Sequence, residues 1–217
     1  RKNFQIKFKL QKIKVVLSYL KGGSNLFLTS ALSNLLISSG TVILAFVSNN
    51  TIVGYYSAVE KLFRAIVGLF TPITQALYPI SCRKVNHQET AKAYIKKLMI
   101  VIGSMALSVA IIVAIFSNEI ITLVYGFGYQ IYSYILAVMM IWLFFGVVNN
   151  IIGIQYLSAM RKDKLYTSSF IVAGLVTVLL NFILIPHLLI NGILVSMIFG
   201  EILLTLCMLG LIFRFKL

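Results

Sequence analysis

The sequence predicts an all-α fold, a polytopic transmembrane helical bundle of six spans with both termini on the cytoplasmic side. Three observations carry this. Of 217 residues, 60% are hydrophobic and 11% charged, with a mean hydropathy of +0.98, which leaves little chain for a soluble domain. Six apolar runs, at 24–47, 52–80, 98–117, 131–160, 165–185 and 191–213, match the about 20 helical residues needed to cross a hydrocarbon core of about 30 Å. They are too long, and alternate too little, for barrel strands. Finally, the basic residues are sorted by side. Nineteen Lys and Arg against five Asp and Glu would as a bulk number suggest a nucleic-acid binder, but their placement excludes it. Seven precede the first run (Arg1, Lys2, Lys7, Lys9, Lys12, Lys14, Lys21) and five lie between the second and third (Arg83, Lys84, Lys92, Lys96, Lys97). Three lie between the fourth and fifth (Arg161, Lys162, Lys164) and two follow the last (Arg214, Lys216), while connections 48–51, 118–130 and 186–191 hold none. That is the positive-inside pattern.

In chain order, residues 1–23 form a cytoplasmic basic arm, in which Phe4, Ile6, Phe8 and Leu10 alternate with polar residues and lie along the interface. Residues 24–217 form the six-helix lobe. Starting at Arg1 with no signal-peptide pattern, the chain reads as a piece of a longer one. The first span carries Ser30, Asn34, Ser38 and Thr41 at helical spacing. After the second span, Asn86 followed by Glu89 resembles a capping box opening a surface helix, with Lys92, Lys96 and Lys97, that runs into the third. Residues 118–130 make the longest outer loop, where Tyr125, Phe127, Tyr129, Tyr132 and Tyr134 fit an interfacial aromatic belt. Gly146, Asn149, Asn150 and Gly153 in the fourth span, and Gly192, Ser196 and Gly200 in the last, suit close helix packing in lipid. Of the amides, Asn34 and Asn149 are also assigned to a cavity. Cys82 and Cys207 fall toward the reducing side and are expected as inert thiols. His87 and His187 have no ligand set around them, so no metal and no cofactor is expected.

The chemistry lies in the second span. Ser57, Glu60, Lys61, Arg64, Gly68, Thr71 and Gln75 step by three or four residues and form one polar stripe on a helix. Arg64, thirteen residues beyond Thr51, sits about 20 Å along the helix, near the bilayer midplane, where ionisable groups are costly and face a cavity or a partner. Glu60 and Arg64, at i and i+4, form a structural pair on the plainest reading. Lys61 then leaves a net positive patch suited to phosphate or pyrophosphate, with Gln75, Asn34 and Asn149 as further ligands. Glu201, deep in the last span, either pairs with Lys61 or Arg64 across the bundle or takes up a proton during transport. No catalytic triad or carboxylate pair assembles on either face, so an enzyme is not expected.

The strings LKGGSNLFLTS, NNTIVGYYSAVEKLFRA and PITQALYPIS, between Leu20 and Ser81, resemble the middle of O-antigen flippases, the Wzx-type polysaccharide transporters of the multidrug/oligosaccharidyl-lipid/polysaccharide exporter superfamily. The later spans match mainly in hydropathy and loop length. The resemblance implies twelve spans in two six-helix lobes in the bacterial inner membrane, this chain supplying spans seven to twelve. It implies a lipid-linked oligosaccharide, carried on undecaprenyl pyrophosphate, moved by alternating access through a cationic cavity. The partners it implies are that substrate, the N-terminal lobe, membrane lipids and the polysaccharide polymerase machinery of lipopolysaccharide biosynthesis, with no nucleic acid. Lys61 and Arg64 would hold the pyrophosphate, Glu60 would orient them and Glu201 would couple transport. A drug/cation antiporter of the same superfamily, and a non-transporting membrane scaffold, are the alternatives.

Overall fold

The computed structural model describes Ser24, Phe27 and residues 38–85 and 88–215. The basic arm, Asn34, most of the first span, Asn86, His87 and Lys216 therefore lie outside the described residues, as does the Glu89 side chain. Every described element is helical. Five helices are long and apolar enough to cross a membrane: Asn50–Lys84, Ala91–Ile115, Phe127–Ser158, Asp163–Leu188 and Ile190–Arg214. A shorter apolar helix, α1 (Ser38–Val47), is the described part of the first predicted span.

The second span opens with Asn49, whose Oδ1 accepts from the Ile52 N–H at 2.9 Å, satisfying a backbone donor that has no partner inside the helix. It comprises α2 (Asn50–Gly68) and α3 (Phe70–Lys84), joined at Leu69. Pro72 explains the joint: lacking an N–H, it cannot bond the carbonyl of Gly68, and the chain tightens there, Leu69 N–H reaching Ile66 O at 3.1 Å. Tyr56, Val59, Glu60 and Phe63, spaced three and four apart, make the buried face of α2.

The surface helix runs into the third span as expected, the two forming one continuous helix, α4 (Gln88–Ile115), because nothing between the three lysines and the apolar run breaks the pattern. Two connections differ from expectation. The outer loop is not a loop: it folds into α5 (Ser117–Tyr125) and a 3₁₀ turn over Phe127–Tyr132, hinged at Gly126 with φ 86°, a left-handed conformation that favours glycine. The last outer connection shrinks to Leu189, between α7 (Asp163–Leu188) and α8 (Ile190–Arg214). Gly192 permits this close turn, since a methyl there would fall 2.7 Å from the Leu184 carbonyl carbon.

The fourth span holds a feature with no forecast. After α6 (Ser133–Asn150) the helix widens to a π-helix over Ile151–Ser158, nearly all of it buried. Its Gln155 donates to Thr74 O at 2.8 Å and accepts from Ser81 Oγ at 2.6 Å, tying it to α3. Lipid removes most of the hydrophobic drive between helices, so such polar contacts and close small-residue approaches hold the bundle. Asn181 does the same between α7, α8 and α1, donating to Ser39 Oγ at 3.2 Å and accepting from Ser196 Oγ.

Candidate functional site

Two polar regions emerge. The first is on α2. Glu60 is 6% exposed and its carboxylate is held on both oxygens: Arg64 donates to Oε1 from Nη2 at 2.5 Å and from Nε at 3.1 Å, and Thr41 Oγ1 donates to Oε2 at 3.1 Å. The structural pair between Glu60 and Arg64 is thus formed. Glu60 is at the buried edge of the stripe, while Lys61, Arg64, Gly68, Thr71 and Gln75 are exposed. The Arg64 side chain is 46% exposed, and no ion pair engages Lys61 among the described residues.

The outward setting of these cations has a physical consequence. Of the five spans, Asn50–Lys84 has both the smallest buried share and the lowest mean hydropathy. A helix this little buried would, if it faced acyl chains, be among the most apolar, since charge in hydrocarbon is expensive. Its outer face therefore suits water or another protein surface.

The second region is a cavity of about 180 Å³ lined by α6, α7 and α8. Glu201 enters it from α8. Its Oε2 accepts from Asn149 Nδ2 at 2.5 Å, and Thr205 Oγ1 donates to Asn149 Oδ1 at 2.7 Å. Of the two roles open to Glu201, pairing with Lys61 or Arg64 is not what the bundle builds: Arg64 is turned to Glu60, four residues away on its own helix, and Glu201 is turned to the α6 amide. Asn149, placed in a cavity from sequence, is there, but with both ends of its amide engaged. Asn34 lies outside the described residues, and Gln75 is exposed on α3.

Asn150, which sequence reasoning left to packing, is the residue missed. Its Oδ1 is buried and without a hydrogen-bond partner among the described residues. An unsatisfied buried acceptor costs about 1–3 kcal/mol and asks for an explanation. Asn150 borders the Glu201 cavity and a second one of about 120 Å³, which Thr71 and Thr74 of α3 also line; Trp142 and Gly146 are common to both. The two spaces thus share the wall formed by Trp142, Gly146 and Asn150, one lined by Glu201 and the other by Thr71 of the polar stripe. The consecutive amides Asn149 and Asn150 were the available signal.

The fold and these sites define a multi-pass, all-helical membrane protein with ionisable groups inside its spans. Comparison with known proteins is more particular. Residues 1–85 match the family described as "Polysaccharide biosynthesis protein". The chain is 28% identical over 164 residues to a protein named "Putative O-antigen transporter" from Escherichia coli strain K12, covering 75% of this chain and 40% of that one. It is 24% identical over 199 residues to one of the same name from Shigella dysenteriae, covering 91% and 50%. No solved structure matches. The chain is thus similar to proteins named as O-antigen transporters, in line with the resemblance its motifs carried. It spans about half their length or less.

Proposed function

We propose that this chain is the C-terminal six-span lobe of a flippase that carries an undecaprenyl-pyrophosphate-linked oligosaccharide across the bacterial inner membrane by alternating access. The observation that carries the reading is the pair of cations on the exposed face of the least apolar span. In the whole protein this face borders the cavity between two lobes. Lys61, without an ion-pair partner among the described residues, and the outward edge of the Arg64 guanidinium attract the pyrophosphate, while Glu60 fixes the Arg64 rotamer. Gln75, on α3, adds a neutral donor along the same face, and the orientation places both termini in the cytoplasm.

Glu201 is the coupling group in this reading. A carboxylate answered by an amide instead of a cation is free to change protonation as the lobe changes state, and Asn150 stands in the wall between its cavity and the space that Thr71 of the stripe lines. The antiporter alternative draws support from this same cavity, which has one acid and aromatic walls. At about 180 Å³, however, the space is below the roughly 300–1,000 Å³ of ordinary ligand pockets, and the exposed cations would repel a cationic drug.

The test is surface glycan display in a strain whose own transporter is deleted, complemented with the full-length protein. Lys61→Gln is expected to abolish display at normal membrane abundance, and Lys61→Arg to retain part of it. Full display by Lys61→Gln would remove Lys61 from the site.

A further inference from the structure

A groove of about 430 Å³ runs between the outer faces of α7 and α8, away from the sites described above. Its walls are apolar: Val172 is 49% and Leu206 60% exposed, the outward hydrophobicity of a surface that faces acyl chains. Gly210 forms a notch, with open space where a side chain would be. One end is different. Arg214, in the last turn of α8, lines the groove beside the hydroxyl-bearing Ser168 of α7. Lys164 lies four residues before Ser168, one helical turn further out on the same face, and both are exposed. The apolar groove thus ends at one cation, Arg214, with a second, Lys164, exposed one helical turn beyond the Ser168 that lines the same end.

We infer that this groove is a binding site for an anionic phospholipid, whose phosphate is held by Arg214 and Lys164 and whose acyl chain passes the Gly210 notch and lies along Leu206 and Val172. Charge complementarity selects the occupant. A zwitterionic lipid would fill the apolar part equally well but gain much less at the basic end, whereas two basic residues near a membrane surface favour an anionic headgroup by roughly thirtyfold together. The site lies on α7 and α8, so it stands whether or not the stripe on α2 binds a pyrophosphate.

The experiment places the full-length protein in nanodiscs containing equal amounts of phosphatidylglycerol and phosphatidylcholine, one or the other carrying a diazirine in its acyl chain. After illumination, adducts are located by peptide mass spectrometry. Adducts on the peptides containing Val172 and Leu206 are expected to favour phosphatidylglycerol by at least tenfold. The doubly substituted Lys164→Gln, Arg214→Gln protein is expected to lose that preference while keeping adducts from both lipids. Gly210→Leu is expected to reduce adducts at Leu206 from either lipid. Equal labelling by the two lipids in the unaltered protein would overturn the inference without reference to any variant, and so would a preference that survives removal of both charges.

Discussion

Replacing Arg64 by Ala leaves the Glu60 carboxylate, 6% exposed, with only the Thr41 hydroxyl at 3.1 Å. The magnitude follows from the geometry of the pair. Breaking a fully buried ion pair costs about 3–5 kcal/mol and an exposed one about 0–1 kcal/mol. This pair lies between those limits, its acid buried and its guanidinium 46% exposed, so a loss of about 2 kcal/mol is expected, or roughly a thirtyfold fall in the folded-to-unfolded ratio. The double change Glu60→Gln, Arg64→Gln removes both ions and can keep an amide contact, so it should recover most of that stability. Thermal unfolding of the purified full-length protein in detergent, with membrane abundance measured in parallel, gives both quantities. Unfolding of Arg64→Ala at the parent temperature would show that the pair contributes nothing. A double variant as weak as Arg64→Ala would show that a stranded carboxylate is not the cause. Glycan display separates stability from function: the proposed role requires that the stable double variant remain defective in display.

Three further outcomes are expected. Glu201→Gln should leave abundance near normal and abolish driven transport, since the amide can still accept from Asn149; undiminished display would remove Glu201 from coupling. Gly192→Ala should lower the unfolding temperature, because the added methyl meets the Leu184 backbone at 2.7 Å and overpacking of this kind costs about 1–3 kcal/mol; an unchanged transition would mean that the α7–α8 turn adjusts freely. In a version lacking Cys82 and Cys207, single cysteines introduced at Asn50 and Asn118 should react with an impermeant thiol reagent from outside, and one at Arg161 only after the membrane is opened. Labelling of Asn50 and Arg161 from the same side would contradict the orientation.

Five helices of membrane-crossing length were legible in the sequence because lipid imposes length and hydropathy directly. Their ends and joints were less so. Residues 118–130 looked like a loop for want of an apolar run, yet Ile120, Ile121, Leu123 and Val124 are enough for α5, and Ile121 is fully buried. The π-helix at Ile151–Ser158 left no trace in the pattern, because it depends on where Gln155 finds Thr74 and Ser81 on another helix. The site divided in the same way. Spacing along one helix foretold the contact of Glu60 with Arg64, a matter of i and i+4. Which group Glu201 meets depends on how α6 and α8 rotate against each other, and one-dimensional periodicity carries no record of that.

If the exposed cations of α2 hold a pyrophosphate, Lys61 is the one to remove, because no ion pair engages it among the described residues. The measurement is the affinity of the full-length protein in nanodiscs for a polyprenyl-pyrophosphate-linked sugar, compared between the parent and Lys61→Gln. Loss of one charge-assisted contact worth about 1.5–3 kcal/mol predicts a weakening of roughly ten- to a hundredfold, with most of the affinity restored by Lys61→Arg. Equal affinity of parent and Lys61→Gln, at equal unfolding temperature, would contradict the account.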